Sequence, residues 1–168
     1  MPPSDRLTKA LDDARTMAEL FEVVKRSVRL AMKKERAGLM LALADLGNHP
    51  QGFLGAFHYV GSNYIVMNRN PLRRLKEQHP AWYNAYAFHV LLHEYIHSLG
   101  TIDEGETRRL SYEVSKEVLG EQHLATQMAR DISPFMPGLS YPEVGWQPEH
   151  LVLELDRSFG TSDTSYIH

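Results

Sequence analysis

The sequence predicts an α+β fold in one domain, a small mixed or antiparallel sheet packed on a central helix with further helices around it. Three observations predict it. From Asp5 to about Lys34 an apolar residue recurs every three or four positions, beginning Leu7, Leu11, Ala14, Met17, Phe21, which is the period of an amphipathic helix. Between Phe53 and Asn68 the period shortens to two on either side of Gly61-Ser62, a hairpin signal. From Trp82 to Leu92 nearly every residue is apolar or aromatic, as in a helix buried on most sides. The 168 residues suffice for one core rather than two.

In chain order, residues 1–36 form an N-terminal helical segment. Thr16 with Glu19 resembles a capping box, so a break near Arg15 would divide it into two helices. Gly38 to Leu46 is apolar and fits either a buried strand or a short helix, and Gly47 to Gly52 has loop composition. Phe53 to Val60 and Asn63 to Asn68 are the hairpin strands, and Arg69 to Gln78 is a short polar helix or loop. Pro80 suits the first turn of the central helix, which should run to Leu99 and stop at Gly100. A helix from about Asp103 to Leu119 and a shorter one from Glu121 to Ile132 follow. Beyond Ser133 the chain is rich in Pro and Gly, with a last strand at Leu151 to Leu155 and a polar, mobile tail over 158–168.

Composition narrows the chemistry. There is no cysteine, so disulfides and thiolate-held zinc are excluded, and any metal must sit on His, Asp or Glu. The N-terminus lacks the apolar core of a signal peptide, and no apolar run approaches the roughly 18 residues of a bilayer span. The sequence therefore predicts a cytoplasmic chain with no membrane partner. The net charge of -3 hides an asymmetry: residues 1–100 hold 13 basic and 9 acidic side chains, and residues 101–168 hold 5 and 12.

The central helix carries His93-Glu94-Tyr95-Ile96-His97. Histidines four apart lie on one helix face, close enough to share an ion. Zinc accepts imidazole nitrogens and, in catalytic sites, keeps one position for water. Glu94 follows the first ligand and projects beside the metal, where its carboxylate can take a proton from the zinc-bound water and pass it to a leaving amine. The five residues thus read as a ligand pair plus a general base, with Zn2+ as cofactor. His89 lies about 12 Å along the axis from His97 at 1.5 Å per residue; it reads as a packing histidine or one that supports a ligand from behind. Tyr95 and Ile96 read as core.

The longer segment, His93 to Asp103, resembles the zincin metallopeptidases, and more closely their metzincin-like branch with the pattern His-Glu-x-x-His-x-x-Gly-x-x-His or Asp. The resemblance covers about eleven residues and extends to compact single-domain zincins. Gly100 and Asp103 match its turn and its third ligand. The resemblance implies a zincin-like fold, a peptide or protein substrate, and metal ligands His93, His97 and Asp103. Asp103 equally fits an N-cap opening the next helix, with Glu106 as the capping glutamate. In that case the ligand should come from further on, with Glu106, Glu113, Glu117 or His123 as candidates. Met136 is a candidate for the family's methionine turn or an ordinary loop-packing residue, and Tyr141 is a candidate to stabilise an oxyanion or a surface or packing tyrosine. The strand before the active-site helix binds extended substrate at the sheet edge in that family, which points to Asn63 to Asn68.

Two other readings stay open. Lys25, Arg26, Arg29, Lys33, Lys34 and Arg36, with Arg69, Arg73, Arg74 and Lys76, hold ten of the 18 basic residues and could grip a phosphate backbone, giving a nucleic-acid-associated zinc hydrolase. A non-catalytic zinc-binding protein is the other, against which an intact Glu94 argues, since a structural site needs no base.

Overall fold

A computed structural model of the chain describes residues 2–46, 53–58, 61–140 and 154–155. Among these residues it is a mixed α+β structure with six helices and a small mixed sheet. The N-terminal segment is two helices, α1 (Pro3–Asp13) and α2 (Met17–Met32). The break falls at a reciprocal capping box: Glu19 N–H donates to Thr16 Oγ1 at 3.1 Å, and Arg15 N–H donates to Glu19 Oε2 at 2.7 Å. Leu7 and Leu11 of α1 and the Leu20, Phe21, Val24, Val28 stripe of α2 are buried.

The ambiguous segment after α2 is strand β1 (Met40–Ala44). It runs parallel to β4 (Tyr64–Asn68), pairing Met40 with Tyr64 through Ala44 with Asn68. On the far side β4 pairs antiparallel with β3 (Ala56–Phe57), and β1 pairs antiparallel with β6 (Glu154–Leu155) at Ala42 and Leu155. The order is β3-β4-β1-β6. The strand Asn63 to Asn68, expected at the sheet edge, is therefore interior, and β3 is the edge. The expected long strand Phe53 to Val60 divides at Gly55, since β2 (Phe53–Leu54) pairs parallel with β5 (Leu139–Ser140) instead. A Cβ on Gly55 would stand 2.9 Å from Leu139 Cδ1 and 3.1 Å from Tyr86 Oη, so a side chain here would press on both where the strand passes from one partner to the other.

Helix α3 (Arg69–Gln78) is capped by Asn68, whose side chain accepts from Asn70 N–H at 3.1 Å. A 3-10 turn, Pro80–Trp82, leads into α4 (Tyr83–Ser98). Every residue of α4 from Ala85 to Ser98 is buried, because the helix packs against α1, α2, α5 and α6 and against β3 and β4. It ends at Gly100, whose φ of +113° favours glycine. Helix α5 (Glu104–Leu119) follows, then α6 (Leu124–Arg130), shorter than the Glu121 to Ile132 expected because His123 caps it, its Nδ1 accepting from Ala125 N–H at 3.1 Å. Among the described residues no helix is long and apolar enough to cross a membrane.

Candidate metal centre

Helix α4 places His93, Glu94 and His97 so that one ligand atom from each lies within 4.8 Å of the others. All three are buried, at 0%, 2% and 5% exposure. The two imidazoles meet edge to face, ring centroids 4.8 Å apart, as the four-residue spacing on one helix face requires.

A second carboxylate faces the same pair. Glu104, the first residue of α5, lies with Oε2 3.1 Å from His93 Nε2 and Oε1 2.6 Å from His97 Nε2. The other end of His97 is also committed, its Nδ1 lying 2.7 Å from the carbonyl oxygen of Thr101. That carbonyl only accepts, so Nδ1 carries the ring's proton and Nε2 of the neutral ring is a lone pair. A lone pair cannot bond to a carboxylate oxygen. Either a second proton or a cation must stand between His97 and Glu104.

Burial and close neighbours act on each ionisable group of the cluster. Burial opposes charge on His97, but the Glu104 hydrogen bond, Glu94 and the Thr101 carbonyl together outweigh it and hold its pKa above the ordinary value. His93 meets the same carboxylate, yet its deeper burial prevails and its pKa is lowered. Glu104 is desolvated too, but its bonds to His93 and His97 dominate and pull it down to about 2. Glu94 goes the other way. Burial lifts it to about 8, against the opposing pull of His97 and a hydrogen bond from the His58 backbone N–H, with Glu104 adding to the rise.

Burial and pairing thus push the two carboxylates in opposite directions. Glu104 is ionised at any physiological pH and suits a ligand. Glu94 lies within ligand distance of the pair as well, and burial holds its proton more tightly than an ordinary carboxyl does. Two imidazole Nε2 atoms and a carboxylate oxygen are donors of the type that a divalent ion of the zinc class accepts. Donors of a tetrahedral zinc stand about 3.3 Å apart, from the roughly 2.0–2.1 Å bond length. The 3.1 Å from Glu104 to His93 is close to that edge, and the shorter His97 contact is that of a charged hydrogen bond.

Asp103 is the N-cap of α5. Its Oδ2 accepts from Glu106 N–H at 2.8 Å and the residue is exposed, so of the two roles open to it the structure places the cap. The other ligand candidates lie elsewhere. Glu106 pairs with Arg109 through two bonds of 2.6 and 2.9 Å, and Glu113 and Glu117 are exposed along α5. His123 caps α6 and pairs with Asp12 at 3.1 Å. Sequence reasoning missed Glu104. Its signal was the cap itself: once Asp103 caps α5, the next side chain lies in the first turn, facing the end of α4. Thr107 was missed too; its hydroxyl lies 3.3 Å from His97 Nδ1.

His58, also missed, is buried at the end of β3. Its ring Nε2–H donates to the Ser62 carbonyl at 3.0 Å. Arg36 donates to that carbonyl as well (3.1 Å), to Asn63 Oδ1 (3.2 Å) and to the Ser98 carbonyl at the end of α4 (2.8 Å). His89 is buried with its ring 6.5 Å from that of His93. Met136 is buried in the main core, as are Tyr95 and Ile96, and Tyr141 lies outside the described residues.

The structure also divides the basic clusters. Lys25 is buried and paired with Glu22 at 2.9 Å, Arg29 pairs with Glu35 at 2.8 Å, Arg36 is held as above, and Arg69 and Arg73 both pair with Asp45. Comparison with known proteins gives no match: no family model, no curated protein and no solved structure matches the chain.

Proposed function

We propose that the chain is a zinc-dependent metallopeptidase with a zincin-like site, in which His93, His97 and Glu104 hold the ion and Glu94 is the general base. The observation that carries this reading is His97 held between two acceptors, Thr101 O at 2.7 Å and Glu104 Oε1 at 2.6 Å, an arrangement that a cation on Nε2 completes. A bound divalent ion would polarise a substrate carbonyl and acidify water beside it.

Glu94 takes a proton from the attacking water and delivers it to the leaving amine. Its burial makes the carboxylate strongly basic, and a neighbouring dication favours its ionised form. The His58 N–H fixes its orientation. That same residue directly follows β3, the sheet edge next to α4, and an extended peptide added to that edge would pass Glu94. Thr101 O and Thr107 Oγ1 set the tautomer of His97, as hydrogen-bond partners of a ligating histidine do.

The test is Glu94→Gln. This variant should bind one zinc per chain and melt with the parent, while hydrolysis of a peptide library falls by at least about 10²-fold. Hydrolysis at the parent's rate would sink the mechanism.

A further inference from the structure

A second feature lies in the α1–α2 hairpin and does not depend on the metal centre. Between the first turns of α1 and the last turns of α2 is a cavity of about 430 Å³. Pro3, Leu7 and Leu30 give it an apolar floor. Arg6, Arg26, Arg29 and Lys33 surround that floor, and among the described residues no carboxylate lines it.

Ordinary helix electrostatics explain only part of this charge. Arg29 and Lys33 stand at the C-terminal end of α2, where a cation complements the helix dipole, and Arg29 is neutralised by Glu35. Arg26 is well inside the helix. Arg6 stands near the N-terminal end of α1, the wrong end for a cation. Arg26, Arg29 and Lys33 are spaced three and four apart, so like charges are neighbours on one face, which is unfavourable in isolation. Arg6, Arg26 and Lys33 are exposed and form no salt bridge or side-chain hydrogen bond among the described residues.

We infer that this cavity binds a phosphate monoester, its dianionic head on Arg6, Arg26 and Lys33 and its apolar body on Leu7 and Leu30. Three uncommitted cations match a dianion better than a carboxylate, and guanidinium forks suit phosphoryl oxygens. The volume admits a small molecule rather than a folded chain. A membrane headgroup is disfavoured because no apolar anchor accompanies the cations: the one large exposed hydrophobic among the described residues is Ile102, on the α4–α5 loop.

The experiment is calorimetric titration of the full chain with phenyl phosphate, inorganic phosphate and vesicles containing an anionic phospholipid. Phenyl phosphate should bind with Kd below about 1 mM at low salt, about tenfold tighter than inorganic phosphate, and weaken as salt rises. Arg6→Gln and Arg26→Gln should each weaken it about tenfold, while Lys116→Gln, on α5, leaves it unchanged. Unaltered affinity in both arginine variants overturns the inference. So does equal affinity for the two phosphates, binding of the vesicles alone, or no binding of phenyl phosphate.

Discussion

Asp103 and Glu104 are sequence neighbours whose side chains have separate tasks, one capping α5 and one reaching back to His93 and His97. Glu104→Ala should abolish stoichiometric zinc in the purified chain. Asp103→Ala should keep the zinc and lose about 1 kcal/mol of stability with the cap. Metal analysis beside thermal melts distinguishes them, and zinc retained without Glu104 would remove it from the ligand set. This is also where legibility in the sequence ran out. His93, Glu94 and His97 could be read because a helix fixes the direction of residues four apart. Glu104 could not, because a loop stands between it and them, and the exit angle of that loop depends on how α5 packs. His89 gives a prediction of another kind. Burial lowers its pKa to about 3, with His93 adding to the fall. The unfolded chain takes up this proton near pH 6.5, and the folded chain resists it until about pH 3. Stability is therefore full above 6.5 and falls with pH between those values, by about 1.4 kcal/mol per unit for one proton. His89→Phe should flatten that slope in denaturant titrations at pH 4 and 6, and an unchanged slope would show that His89 is not its source.

At the scale of elements, periodicity located α1 and α2, and an apolar run closed by Gly100 located α4, while α3 stayed open between a helix and a loop; the capping box at Thr16 and Glu19 located the break between α1 and α2. Sheet order was not legible. Tyr64 to Asn68 alternate like any strand, and nothing in that alternation tells that β1 takes one side of it and β3 the other. Only long-range pairing makes β4 interior and gives β3 the edge. Gly55 is the junction where that pairing changes, so Gly55→Ala should overpack against Leu139 and Tyr86 and cost about 1–3 kcal/mol. Equilibrium unfolding measures it, and a neutral result would mean that the Leu139 side chain moves aside freely.

For the whole molecule, an ion held by α4 and α5, as proposed, would join two elements of one core. Ligand binding to the native state alone adds RT ln(1 + [L]/Kd), about 4 kcal/mol at a thousandfold excess over Kd. In a domain of this size each kcal/mol moves Tm by roughly 2–4 °C. Zinc should therefore raise Tm by roughly 8–16 °C, and Glu104→Gln should shrink the shift. A melt insensitive to zinc would argue against a bound ion in the native fold. The clamp at Arg36 has its own consequence at this scale. One guanidinium holds the Ser98 carbonyl at the end of α4 and the Ser62 carbonyl at the β3–β4 turn. The same side chain thus ties the end of α4 to the segment before β4. The amides beside Ser98 and Ser62 should therefore exchange with solvent at a common rate.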